Sequence, residues 1–133
     1  MIAAVADTHT VIWYLAADTR LSHAARRTID TAARNGNQIA ISAITLVEMV
    51  YLIERGRIPA QRFTELIDEL SDIGSVFVET PLDVLTARTL TRIDAAQVPD
   101  MPDRIIAATA VQLHVPLISR DARIQASSVQ TIW

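Results

Sequence analysis

Short, uniformly apolar runs alternate along this chain with longer stretches whose apolar residues return every three or four positions. The first pattern is that of a strand buried on both faces, and the second that of a helix with one buried stripe. IAAVA at residues 2–6 predicts a strand that ends at Asp7, and TVIWYLAA continues as a helix. A second helix is predicted over SHAARRTIDTAARNG, with Ser22 as its N-cap and Gly36 as its stop. QIAIS at 38–42 is a second strand, after which Thr45 opens a helix closed by Gly56. PAQRFTELIDELSDIG begins with a proline suited to a first helical turn and predicts a buried stripe of Phe63, Leu66, Ile67 and Leu70. SVFVE supplies a third strand, a helix is predicted from Pro81 to about Ile93, and another follows in VPDMPDRIIAATAVQL. PLIS at 116–119 and the closing VQTIW are the last two strands.

Strands separated by helices need right-handed crossovers, and these give a mainly parallel sheet covered on both faces. The expected fold is therefore α/β, a three-layer α/β/α sandwich with a central sheet of about five strands. Open sheets of this kind bind ligands beyond the carboxyl ends of their strands, where the crossovers change direction.

Composition narrows the picture by exclusion. At 133 residues the chain fits one domain, residues 1–133, with a substantial core. It has no cysteine, so disulfides, thiolate zinc sites and cysteine redox chemistry are excluded. All 12 basic residues are arginine, which removes every mechanism that needs a lysine. The net charge of −3 does not by itself suggest a nucleic-acid binder. Apolar stretches such as IAISAITLV are too short to span a membrane, and the N-terminal segment lacks a basic leader region and carries Asp7 and His9. A soluble, cytoplasmic protein is expected.

Four acids draw attention by position. Asp7 directly follows the first strand and is the only charged side chain between Met1 and Ala17; capping the next helix is its ordinary alternative role. Glu48 is the sole charge in SAITLVEMVYLI, where a carboxylate among Leu46, Val47, Met49, Val50 and Leu52 is costly to desolvate without compensation. A Thr45–Glu48 capping box is the alternative there. Asp103 lies three residues after Asp100 at the start of RIIAATA, a spacing that serves helix capping as well as metal chemistry. Asp121 follows PLIS in SRDAR, where a turn or cap also suffices. A parallel sheet can bring all four to one edge, and carboxylates gathered there repel unless a divalent cation neutralises them. Oxygen-only ligation favours Mg²⁺ or Mn²⁺ over zinc.

At this point the chain resembles the PIN-domain ribonucleases, and among them the VapC-type toxins of type II toxin–antitoxin pairs. The resemblance rests on ADTHTVIWYL, SAITLVEMVYLIERG and PDRIIAATAVQLHVPLISRDARI, whose spacing covers almost the whole chain. It implies a PIN-like domain and a Mg²⁺- or Mn²⁺-dependent endoribonuclease that cuts RNA through metal-activated water. It also implies a homodimer and silencing by a cognate antitoxin. Asp7, Glu48, Asp103 and Asp121 fall on the family's acidic quartet, which serves as catalytic and metal-binding residues. Asp100 is then a cap or supporting group, and Thr8 and Ser119 match small hydroxyl positions beside the quartet. Arg104, Arg120 and Arg123 are the candidates for RNA phosphate, with Arg20 and Arg55 behind them. His9 is a possible RNA contact, and Trp13 is expected in the core or an interface.

Other enzymes of similar architecture fail on missing residues. A receiver needs a lysine, a haloacid-dehalogenase-type phosphatase needs an aspartate where His9 stands, and a dinucleotide-binding turn needs glycines that DTHTV lacks. The rival from another class is a metal- or RNA-binding module of the same fold that cleaves nothing.

Overall fold

The computed structural model describes residues 1–133 and contains five strands and seven helices. In chain order these are β1 (Ile2–Ala6), α1 (Thr8–Leu15), α2 (His23–Arg34), β2 (Gln38–Ser42), α3 (Ala43–Glu54) and α4 (Ala60–Ser71). There follow β3 (Phe77–Thr80), α5 (Val84–Leu90), α6 (Met101–Leu113), β4 (Leu117–Ile118), α7 (Ala122–Ala126) and β5 (Thr131–Ile132). The strands form one sheet in the order β3-β2-β1-β4-β5, and every neighbouring pair is parallel. Crossovers from β1 run outward to β2 and β3, whereas those from β4 run the other way to β5. The topological switch therefore lies between β1 and β4, beyond whose ends a ligand crevice is expected.

Two apolar cores cover the sheet. On one face Ala4, Ala6, Ile39, Ile41, Phe77 and Ile118 pack with Val11 and Trp13 of α1, Ile29 of α2, Met49 of α3 and Leu66 of α4. On the other, Val5, Ala40 and Leu117 pack with Ile106, Ala107 and Ala110 of α6 and Ile124 of α7. Alternate strand residues thus feed opposite cores, as the pleat requires. The exception is instructive: Ala3 and Ala4 both face the first core, at the point where the β1–β2 register slips between Ile2 and Ala4. The irregularity sets the phase in which Ala4 and Ala6 face the first core and Val5 the second.

Several elements differ from the sequence expectation. Helix α3 opens at Ala43, because Ser42 is its N-cap and accepts from the Ile44 amide at 3.3 Å. Thr45 is therefore inside the helix, and the Thr45–Glu48 capping box does not form. Helix α5 starts only after Asp83, whose carboxylate forms a capping box with Thr86. Ile67 is 38% exposed, since the buried stripe of α4 centres on Leu66 and leaves Ile67 at its rim. The short α7 had no counterpart in the sequence reading.

Candidate active site

The register sets the site. Ala6 pairs with Ile41 on one side and Ile118 on the other, so the next residues, Asp7, Ser42 and Ser119, emerge side by side at the carboxyl edge. The Ile118 carbonyl accepts from the Asp7 amide at 3.2 Å and from the Thr10 hydroxyl at 3.0 Å, stitching the first turn of α1 to β4 across the switch. Asp7 is 8% exposed and caps α1, its Oδ1 accepting from the Thr10 amide at 2.9 Å. Its other carboxylate oxygen has no hydrogen-bond partner in the protein. Asp121 repeats this arrangement on α7, with Oδ1 accepting from the Ile124 amide at 2.9 Å, while its own amide donates to buried Ser119 Oγ at 3.1 Å.

Helices α3 and α6 pack together and contribute the remaining acids. Glu48 leans toward β1, where Thr8 Oγ1 donates to its Oε1 at 2.5 Å. The Thr8 hydroxyl also shares a 3.0 Å hydrogen bond with Thr45 Oγ1. Asp100 caps α6 by accepting from the Asp103 amide at 3.1 Å, which sets Asp103 in the first turn with both its carboxylate oxygens free of hydrogen bonds. Asp7, Thr8, His9, Trp13, Glu48, Asp100, Asp103, Arg120 and Asp121 line one open cavity of about 520 Å³.

Charge within this cavity is unbalanced. The protein's two ion pairs, Arg20–Asp18 and Arg62–Glu65, leave all five cavity acids without a cationic partner. Burial pushes the Asp103 carboxyl up to about 7, and the charges of Asp100, Asp121, Glu48 and Asp7 push the same way. Burial also raises Glu48, against the opposing effect of the Thr8 hydrogen bond. No three of these side chains close to metal-ligating geometry as they stand. The donor set is all-oxygen and anionic, so it fits a hard divalent cation by its chemistry rather than by preformed geometry.

The sequence model of the PIN domain matches residues 4–128. The chain belongs to the PIN domain family. Among characterised relatives, this PIN domain is 27% identical to Ribonuclease VapC22 of Mycobacterium tuberculosis over 125 residues, 94% of this chain and 92% of the relative. Its fold is similar to that in the crystal structure of VapBC2 from Rickettsia felis bound to a promoter DNA fragment, with a TM-score of 0.71, 18% identity, and coverage of 98% and 97% of the two chains. A toxin–antitoxin complex from Klebsiella pneumoniae gives a TM-score of 0.66 at 23% identity, again covering 98% and 97%. The resemblance read from the motifs and the expected parallel α/β/α architecture are both borne out.

Not every residue singled out in the sequence of this PIN domain lies on the cavity. Ser119 is fully buried beneath it. Arg123 lies exposed on α7 and does not line it. Arg104 turns away, donating to the Ile93 carbonyl at 3.1 Å and the Leu90 carbonyl at 3.4 Å. It thus satisfies carbonyls at and just after the end of α5, so its guanidinium does not line the cavity where phosphate was expected. Of the three arginines only Arg120 borders the acids. The Thr8–Thr45 contact was missed, because Thr45 read as a helix cap and no local signal distinguishes the two roles.

Proposed function

We propose that this PIN domain is a divalent-metal-dependent endoribonuclease, the toxin of a toxin–antitoxin pair, acting in the cytoplasm on RNA and held inactive by a cognate antitoxin. The observation that carries the reading is the convergence of Asp7, Glu48, Asp103 and Asp121 on one cavity with none of them ion-paired to a protein cation. The relative named a ribonuclease and the neighbours solved as toxin–antitoxin complexes support it. The chain has no helix long and apolar enough to cross a membrane.

In this reading Asp7, Glu48, Asp103 and Asp121 hold Mg²⁺ or Mn²⁺. When bound, the cation supplies an activated water and stabilises charge developing on the phosphodiester. The protein's own work is positional. Asp7 and Asp121 are fixed by their caps, so each presents one oxygen to the cavity at little entropic cost. Thr8 orients Glu48, and Ser119 anchors the turn that carries Asp121. Asp100 sets the first turn of α6 and adds negative potential beside Asp103. Arg120 faces the phosphate, and a homodimer is the expected assembly.

The test is cleavage of a fluorescent mixed-sequence oligoribonucleotide pool at pH 8 with Mn²⁺, Mg²⁺ or chelator. Cleavage with either metal and none with chelator is expected, and Asp103→Asn should lower the rate at least 100-fold while circular dichroism stays parental. Calorimetric Mn²⁺ binding with the RNA left whole would instead identify the non-cleaving module.

A further inference from the structure

Arg120 is the one guanidinium on the wall of a cavity that holds five carboxylates, yet it forms an ion pair with none of them. Its guanidinium carbon lies 5.6 Å from the centre of the Trp13 ring instead. A second arginine, Arg20, lies 5.0 Å from the same ring, but its charge is already met by Asp18 at 2.8 Å. Trp13 is itself held rigidly. It is 7% exposed, its indole packs edge-on against Trp133 with centroids 5.9 Å apart, and His9 lies tilted at 5.6 Å. Coulomb attraction draws a free guanidinium into a nest of acids, where it occupies the space a metal ion needs and neutralises its ligands. A fixed aromatic face offers a competing resting place through cation–π attraction.

We propose that Trp13 is a positioning residue for the RNA-cleaving reaction. Its indole face holds the Arg120 guanidinium at the rim of the cavity, clear of the carboxylates and turned to an RNA phosphate. Arg120 touches the substrate, and Trp13 acts only through it. The inference rests on the ribonuclease reading above, because the proposed ligand of Arg120 is the phosphate of that substrate.

The two positions should therefore behave as one unit in steady-state cleavage of the mixed-sequence oligoribonucleotide with Mn²⁺. Arg120→Gln is expected to raise apparent KM about tenfold, the loss of one charge-assisted hydrogen bond, with kcat within about twofold. Trp13→Leu should raise KM about fivefold, and the double variant should be no worse than Arg120→Gln alone. Each variant should also flatten the dependence of log affinity on log salt by about 0.7, one phosphate contact on a single strand. A merely structural role for Trp13 does not move that slope. Parental KM and slope in Trp13→Leu, or effects that multiply in the double variant, overturn the inference. If Trp13→Leu does not fold, Trp13→Met, which keeps apolar volume without an aromatic face, decides: a raised KM with parental kcat supports it, and parental KM and slope overturn it. Failure of the parent chain to cleave RNA instead overturns the ribonuclease reading itself.

Discussion

Asp103 carries the sharpest physical signature in the molecule. Its carboxyl is raised from an ordinary 3.8 to about 7, by burial first and by four neighbouring acids after it. Between about pH 4 and pH 7 the folded chain therefore holds a proton that the unfolded chain has released, so stability falls as pH rises through that window and levels off above it. Glu48, raised in the same direction, adds to the slope. Asp103→Asn should flatten this profile and raise Tm at pH 8 relative to the parent, a result that thermal unfolding across pH 4–8 reads directly. The same substitution is expected to abolish cleavage, which places this residue among those that trade stability for function. Thr8 is a second test: Thr8→Val removes the hydroxyl that steadies Glu48. Calorimetry should then show Mn²⁺ affinity reduced about 10- to 100-fold with the fold retained. Glu48 was legible in the sequence because a lone charge in an apolar run stands out, whereas Asp103 and Thr8 were singled out by the motifs that carry the family resemblance. The direction of Arg104 was not legible, since the sequence places its Cα at the working edge but cannot say that its guanidinium turns back to α5.

At the level of elements, the recurring device is a helix whose cap is also a wall of the site. Asp7, Asp100 and Asp121 each cap a helix with one oxygen and line the cavity. Capping and metal chemistry were rival explanations for these acids in the sequence, and the structure makes them compatible, because a carboxylate has two oxygens. Asp100 separates the two effects experimentally. Asp100→Ser keeps an N-cap acceptor and removes the charge, so Asp103 should titrate lower by NMR with little change in Tm. Asp100→Ala also removes the cap and should cost about 1 kcal/mol more. Element boundaries were the less legible part. Ser42 and Thr45 are both plausible caps by residue type, and only the length of β2 decides between them. Helix α7 is five residues long, too short for periodicity to reveal.

For the whole molecule, the parallel sheet was legible because the strands are unbroken apolar runs and the helices between them carry clear stops. What the sequence could not supply was the strand order, β3-β2-β1-β4-β5, which depends on long-range pairing. That order concentrates unbalanced negative charge at one edge of the sheet. A divalent cation binding there only in the folded state should stabilise the whole chain, by about 2.7 kcal/mol at a hundredfold excess over Kd. The corresponding rise in Tm is on the order of 10 °C, measured with and without Mn²⁺ at pH 8. Monovalent salt at matched ionic strength should do much less.

The switch between β1 and β4 also has a temporal meaning. Asp7 is made more than a hundred residues before its neighbours across the switch, from Ile118 to Asp121. A chain cut short before Asp103 carries only Asp7 and Glu48, half of the four acids that meet at this edge. The acidic edge is therefore completed only as the last quarter of these 133 residues is made, after the strands that frame it on the other side.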